Sequence, residues 1–328
     1  DAEKPVGFDI VSTFSPKHGA TVGESLGSEA LAGHVQGVHG DDVRVSHIDL
    51  QLDPDIQELT KRIVDNPPHI LGISVKIGAL DQTEQIIHSL NEVNFKPGTK
   101  PLVVMGGVLP TFATAKLHEM YPNSVMAVNE GENAIAALVE VVRGEKTLDQ
   151  VPGIWYADKD GCLKINSPKR LDLSDRFLPA RQTTQRIHRE LNGMIWAEAS
   201  RGCDYNCTFC SIKELHGGGF VGDMTPESVV QDMKNLKSLG INSVSFTDDD
   251  FEGDPERADT IAKLLKAENL GMSFSISTRA DHIWNEGVAH SRNGRQNTEG
   301  LDKYNARLLE IMTDLRDAGL VRVFLGME

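Results

Sequence analysis

The chain has 328 residues, 33 of them basic against 48 acidic, with a net charge of −15 and 39% hydrophobic side chains. That length holds about two globular domains, and no apolar run approaches the roughly 18 residues of a membrane span. No basic run exceeds Lys169-Arg170, which disfavours a nucleic-acid substrate, because gripping a phosphate backbone takes clustered Lys and Arg.

In chain order, the first 150 residues alternate short apolar strands with helical segments. Strands are predicted at 8–12, 43–49, 70–75, 101–105 and 124–128, and helical spacing at 55–64, 80–93, 111–121 and 133–143. This alternation predicts an α/β, doubly wound Rossmann-like domain over 1–150, which binds ligands beyond the carboxyl ends of its strands. Gly106-Gly107 closes the fourth strand and Asn129-Glu130-Gly131-Glu132 follows the fifth. The loop 15–25 and Ser74-Val75 belong to the same edge. Residues 151–190 read as a connector: a hairpin around Asp158-Lys-Asp160-Gly161, then a proline-bearing surface tether.

From 191 to 328 strand–helix units recur. A strand at 194–200 runs into Cys203-Asp-Tyr-Asn-Cys207-Thr-Phe-Cys210, so one tight loop carries three thiols. A [4Fe–4S] cluster is usually held by four cysteines, and three would leave one iron open for a small ligand. A zinc site, with His216 as fourth ligand, is the alternative, and a redox disulfide a further one. Thr225 and Pro226 start a helix over 226–239, and a strand at 242–246 ends in Asp248-Asp249-Asp250. A helix at 255–268 and a strand at 272–277 lead to Arg279. A loop insertion at 284–303, a helix at 305–318 and a strand at 321–325 close the sequence at Gly326-Met-Glu328. Cys162 is the single cysteine outside the motif, which argues against a disulfide framework and for a reducing, cytoplasmic setting.

The C-x3-C-x-aromatic-C loop after a strand resembles the signature of the radical S-adenosylmethionine (SAM) superfamily. Gly106-Gly107-Val108-Leu-Pro110-Thr111-Phe112, followed by Asn129-Glu130-Gly131-Glu132, resembles the G-G-x-x-P-T-F … G-E-G-E pattern of the cobalamin-binding domains that precede some radical SAM barrels, with Asn129 replacing a glycine. The resemblance implies a [4Fe–4S] cluster on Cys203, Cys207 and Cys210. It implies SAM near Phe209, with Asp249 or Asp250 accepting from its amino group, Arg279 on its carboxylate and Glu328 nearby. It also implies cobalamin along Ser15, Ser74, Val75, Gly106, Gly107, Val108, Glu130 and Gly131. No Asp is followed two positions later by His, so the D-x-H-x-x-G lower-ligand motif is absent and the corrin's lower face should lack a protein histidine. The 151–190 hairpin is similar to the bridge often found between such domains.

The implied fold is thus a cobalamin-binding domain followed by a radical SAM partial (βα) barrel, incomplete in this chain because four strands stand where six βα units are usual. The implied reaction moves a methyl group from SAM by way of methylcobalamin to an unactivated carbon, through a 5′-deoxyadenosyl radical. A cyclisation or rearrangement without methylation and a non-catalytic sensor module are the alternatives. A small-molecule or peptide substrate and an electron donor such as flavodoxin or ferredoxin would be the partners.

Overall fold

The computed structural model describes residues 4–14, 21–218, 221–284 and 298–326. The chain divides into two compact units, one of residues 1–171, 175–194 and 214–218, the other of 172–174, 195–213 and 219–328.

The first unit is built on β1 (Val6–Ser12), α1 (Leu26–His39), β2 (Val43–Asp49), α2 (Ile56–Asp65), β3 (Ile70–Ser74), α3 (Leu80–Asn91), β4 (Leu102–Gly106), α4 (Val108–Phe112), α5 (Thr114–Met120), β5 (Val125–Ala127) and α6 (Glu132–Val142). A hairpin follows, β6 (Ile154–Ala157) and β7 (Leu163–Ile165), and then α7 (Thr184–Leu191). The strand order is β2-β1-β3-β4-β5-β6-β7, with β1 to β5 parallel and the hairpin antiparallel. The order reverses between β1 and β3, which marks the ligand crevice of a doubly wound sheet. Successive residues of β1 face opposite sides: Phe8 and Ile10 pack with Val35 and Leu138, while Val11 packs with Ile63, Leu71, Ile86 and Leu117.

In this unit three features differ from the sequence reading. The helix expected over 111–121 is broken at Ala113, where φ is −123° and ψ 29°, because the Thr111 and Thr114 hydroxyls donate to the carbonyls of Gly107 and Pro110 and compete with the helical ladder. Helix α1 had no predicted counterpart. Gly27, Gly33 and Gly37 weaken its propensity, yet two of them are needed. A Cβ on Gly33 would lie 1.9 Å from the Leu178 carbonyl oxygen and one on Gly37 2.1 Å from the Phe177 ring. Gly33→Ala should therefore destabilise the fold by about 1–3 kcal/mol through overpacking, read as a lowered denaturation midpoint with unchanged m-value.

The third difference concerns 151–190. Its hairpin extends the sheet, and what reads as a surface tether folds back into the unit. Arg181, Thr183 and Thr184 are buried, and the chain there bonds to two buried glutamates of the α1 region. Glu29 accepts from the backbone N–H of Gln182 and Thr183 and from the Thr183 hydroxyl at 2.7–2.8 Å. Glu24 accepts from Arg181 Nη1 at 2.6 Å and from the Thr184 hydroxyl.

The second unit contains β8 (Trp196–Ala197), β9 (Ser200–Arg201), β10 (Gly222–Asp223), α9 (Pro226–Ser238), β11 (Ser243–Phe246), α10 (Pro255–Glu268), β12 (Ser273–Arg279), α11 (Thr298–Ala318) and β13 (Leu320–Gly326). Its main sheet has the order β13-β12-β11-β8, all parallel, and among the described residues it does not close into a barrel. The single strand expected over 194–200 is split in two, since the Ala199 N–H and Ser200 hydroxyl turn to Asp248 at 2.9 and 2.6 Å. α11 begins at Thr298 rather than 305, inside the stretch read as a loop; residues 285–297 lie outside the described residues. Thr225 caps α9 through the Ser228 N–H at 3.2 Å, with Pro226 in its first turn. No helix among the described residues is long and apolar enough to cross a membrane.

Candidate functional site

The cysteine loop follows β9, beyond the carboxyl end of β8 in the open sheet, the side on which (βα) barrels carry their chemistry. Cys203, Cys207 and Cys210 are free thiols, and the loop is tightened by the Cys210 N–H donating to the Cys207 carbonyl at 3.0 Å. All three line a pocket of about 170 Å3 together with Tyr205, Phe209, Asp249 and Arg279. Among the described residues no three side chains close tightly enough to hold a single metal ion; the thiols ring the pocket instead. Phe209 is 74% exposed at this site. Burial pushes the Cys203 thiol up, against the Tyr205 backbone N–H that stabilises its thiolate. A ring of three thiols with an acid and a guanidinium beside it suits a cluster that leaves a coordination position for a zwitterionic ligand.

The acids after β11 divide by environment. Asp248 is buried and staples the strand split, and burial pushes its carboxyl up to about 7. Asp249 lines the pocket and accepts from the Gly202 N–H at 3.1 Å. Asp250 is 8% exposed and turns elsewhere, accepting from the Thr278 hydroxyl at 3.0 Å and pairing with His282 Nδ1 at 3.1 Å. Burial lowers the His282 value, but the hydrogen bond and charge of Asp250 outweigh it and the net shift is upward.

Arg279 sits at the end of β12 in the pocket wall. Asp281 accepts from its Nε and Nη2 at 3.0 and 3.3 Å, and its guanidinium carbon lies 3.9 Å from the centroid of the Tyr205 ring. Glu328 lies outside the described residues.

Glu252, which the sequence reading passed over, is fully buried, and neither carboxyl oxygen has a hydrogen-bond partner among the described residues. Burial, above all, pushes it up to about 7. A raised value means that the protonated form's stability is complete below the ordinary carboxylate range and is lost as pH rises through about 7. Glu252→Gln should therefore match the parent at pH 5 and exceed its stability by up to about 3 kcal/mol at pH 9, checked by urea denaturation at both values.

At the carboxyl edge of the first unit's sheet, Ser74, Val75, Gly106, Gly107 and Val108 come together. The Val75 N–H donates to Gly106 at 2.8 Å and the Leu109 N–H to Val75 at 3.3 Å. Gly107 has φ of +100°, and a Cβ on it would meet Val75 and Ser74 atoms at 3.5–3.7 Å, so only glycine holds this backbone without strain. Lys76 beside it is driven below the usual lysine range by burial, against the Asp49 charge. Asn129 donates its amide to the Glu214 and Leu215 carbonyls at 3.0 and 2.9 Å, and Glu130 pairs with His216 Nδ1 at 2.7 Å. His216 is thus engaged in the first unit. Gly131 packs on Leu31, which a Cβ would approach to 3.1 Å. Ser15 lies outside the described residues. The bare backbone of Gly106-Gly107 thus sits against Ser74 and Val75 at the carboxyl end of β4, where a doubly wound sheet takes its ligands.

Two family models match. The Radical SAM superfamily model covers residues 198–328 and the B12 binding domain model residues 18–139. The chain is 27% identical over 302 residues to 4'-phospho-dehydrooxetanocin synthase of Priestia megaterium, which covers 87% of this chain and 38% of that protein. It is likewise 27% identical to an uncharacterized methyltransferase of Pyrococcus horikoshii, covering 89% of this chain and 63% of that protein. A solved structure of the cobalamin-dependent SAM radical enzyme OxsB, with aqua-cobalamin and SAM bound, superposes with a TM-score of 0.80 at 21% identity, over 99% of this chain and 44% of that one. This chain therefore spans between about two fifths and two thirds of these proteins' lengths.

Proposed function

Since this chain belongs to the cobalamin-binding branch of the radical SAM superfamily, we propose that it serves a methyltransferase that places a methyl group from SAM on an unactivated carbon. The observation that carries this reading is the pocket in which three free thiols meet Asp249 and Arg279. When bound, the [4Fe–4S] cluster would supply the electron that cleaves SAM, and the corrinoid would carry the methyl group. The chain's own part is to hold and orient. Cys203, Cys207 and Cys210 would hold the cluster, and Asp249 would accept from the SAM amino group. Arg279 would present a planar fork to the carboxylate, and Phe209 would lie near the adenine. In the first unit, Ser74, Val75, Gly106, Gly107 and Val108 would line the cobalamin site, with Glu130 and Gly131 following β5; Ser15, the remaining candidate, lies outside the described residues. Cobalamin binding is assigned to 1–150 and SAM binding to 191–328, and the 151–190 stretch between them belongs mostly to the first unit. The substrate is a small molecule or peptide, and a one-electron donor of the flavodoxin or ferredoxin kind completes the system.

The test is anaerobic reconstitution with iron, sulfide and hydroxocobalamin, followed by metal analysis and incubation with methyl-labelled SAM. About four irons and one cobalt per chain, with label in the product, support the proposal. Iron without cobalt removes the methyl-carrier step, and zinc in place of iron defeats the reading. One observation favours a second reading, conversion without methylation: a relative at 27% identity is named as a synthase rather than a methyltransferase. SAM cleavage with unlabelled product would identify it.

A further inference from the structure

Arg279 does not reach the cysteine pocket alone. A closed circuit of contacts begins and ends on β12. Its guanidinium lies 3.9 Å from the centre of the Tyr205 ring, and Tyr205 belongs to the cysteine loop itself. The Tyr205 hydroxyl meets His282 Nε2 at 3.0 Å, with the two rings 5.8 Å apart and inclined by 54°. His282 Nδ1 meets Asp250 Oδ1 at 3.1 Å, and the same oxygen accepts from the hydroxyl of Thr278, the residue before Arg279, at 3.0 Å. Asp281 holds the outer edge of the guanidinium at 3.0 Å.

We propose that Tyr205 and His282 are positioning residues that fix the Arg279 guanidinium for the carboxylate of the ligand in the cysteine pocket. This rests on the reading of Arg279 as the SAM carboxylate partner. An arginine on a flexible stem loses rotamer freedom when it binds. An aromatic face under the guanidinium removes much of that freedom beforehand by engaging the plane of the fork rather than its N–H edges. The ring can serve only if it stays in place, and the hydroxyl–imidazole–carboxylate relay ties it to the end of the second and third barrel strands. Asp250 then acts through His282 and Tyr205 rather than on the ligand. The groups facing His282 are Asp250, Glu252, Asp281, Arg279 and Tyr205, so the relay is built from charges of both signs and keeps the imidazole bound on both nitrogens.

The experiment measures equilibrium binding of SAM and of decarboxylated SAM to the cluster-loaded protein, with iron counted for every variant. Tyr205→Leu should weaken SAM by about tenfold, and Tyr205→Phe and His282→Ala by about threefold each. Tyr205→Phe combined with His282→Ala should lose no more than either alone, because both act through one contact chain. None should change the affinity for decarboxylated SAM by more than about twofold, since the carboxylate is the atom group concerned. Arg279→Ala reports on the premise. If it leaves SAM binding unchanged, the carboxylate assignment falls. If Arg279→Ala weakens SAM while Tyr205→Leu does not, or if Tyr205→Leu weakens both ligands equally, the positioning role is overturned and the premise stands. Should Tyr205→Leu lose iron, Tyr205→Phe and His282→Ala decide, because they leave an aromatic ring in the cysteine loop.

Discussion

Cys207→Ala should leave a folded protein that holds almost no iron–sulfur cluster: about four irons per chain in the parent and fewer than one in the variant. Cys207 sits half-buried in an irregular loop, so truncating it should alter stability by no more than about 0.5 kcal/mol. Its proposed role is different in kind. In the proposed set each of the three thiolates holds one iron, so removing one takes away a third of these ligands. SAM binding should be lost with the iron, and the visible absorbance of the cluster should vanish while the far-ultraviolet circular dichroism stays that of the parent. Full iron content in this variant would refute the ligand assignment, and its equivalent at Cys203 and Cys210 would be tested by the same count.

Glu29→Ala should destabilise the first unit by about 3–5 kcal/mol. The Glu29 carboxylate is completely buried, and His47 Nδ1, also sealed from solvent, meets it at 2.8 Å. Three more donors from Gln182 and Thr183 converge on it. Removing the acid strands all of them at once. Burial alone would raise the Glu29 carboxyl, but the hydrogen bond and charge of His47 and the Thr183 donors overcome it, so it lies below the usual carboxylate range. A depressed value contributes stability that is complete above the ordinary range and is lost as pH falls through the depressed one. The parent should therefore lose this contribution on acidification, and the alanine variant, lacking it already, should show a flatter acid limb. Ser12 Oγ meets His47 Nε2 at 2.7 Å, which aligns a serine, a histidine and an acid; all three side chains are buried in the fold, and the row binds β1, α1 and β2 together.

The sequence made the parallel strands and the cysteine motif legible because both are local patterns. Buried strands such as Ile70–Ser74 are short apolar runs between turn residues, and three cysteines in eight residues need no fold to be noticed. What escaped depends on distant partners. Helix α1 was hidden by glycines whose reason is a segment about 145 residues away, pressing on Gly33 and Gly37. The tether looked exposed because its prolines and charges are those of a loop, yet its donors answer glutamates more than 150 residues earlier. Asp249 and Asp250 are neighbours of one type, and only the turn after β11 separates them, sending one into the pocket and the other to His282. Tyr205 stands inside the motif without being part of its consensus, and nothing in the sequence links it to His282, 77 residues away.

The return of residues 175–194 to the first unit decides where that unit can be cut free. A fragment ending at residue 150 contains every parallel strand of its sheet but lacks Arg181, Gln182, Thr183 and Thr184. Glu24 would then be a buried acid without its guanidinium, and Glu29 would lose its Gln182 and Thr183 donors and keep His47. It would also uncover the α1 surface around Gly33 and Gly37 on which Phe177 and Leu178 lie. An autonomous cobalamin module therefore ends near Met194, after the last residue that pairs with Gly23, and a proteolytic map of the intact protein should show its resistant amino-terminal piece reaching that far.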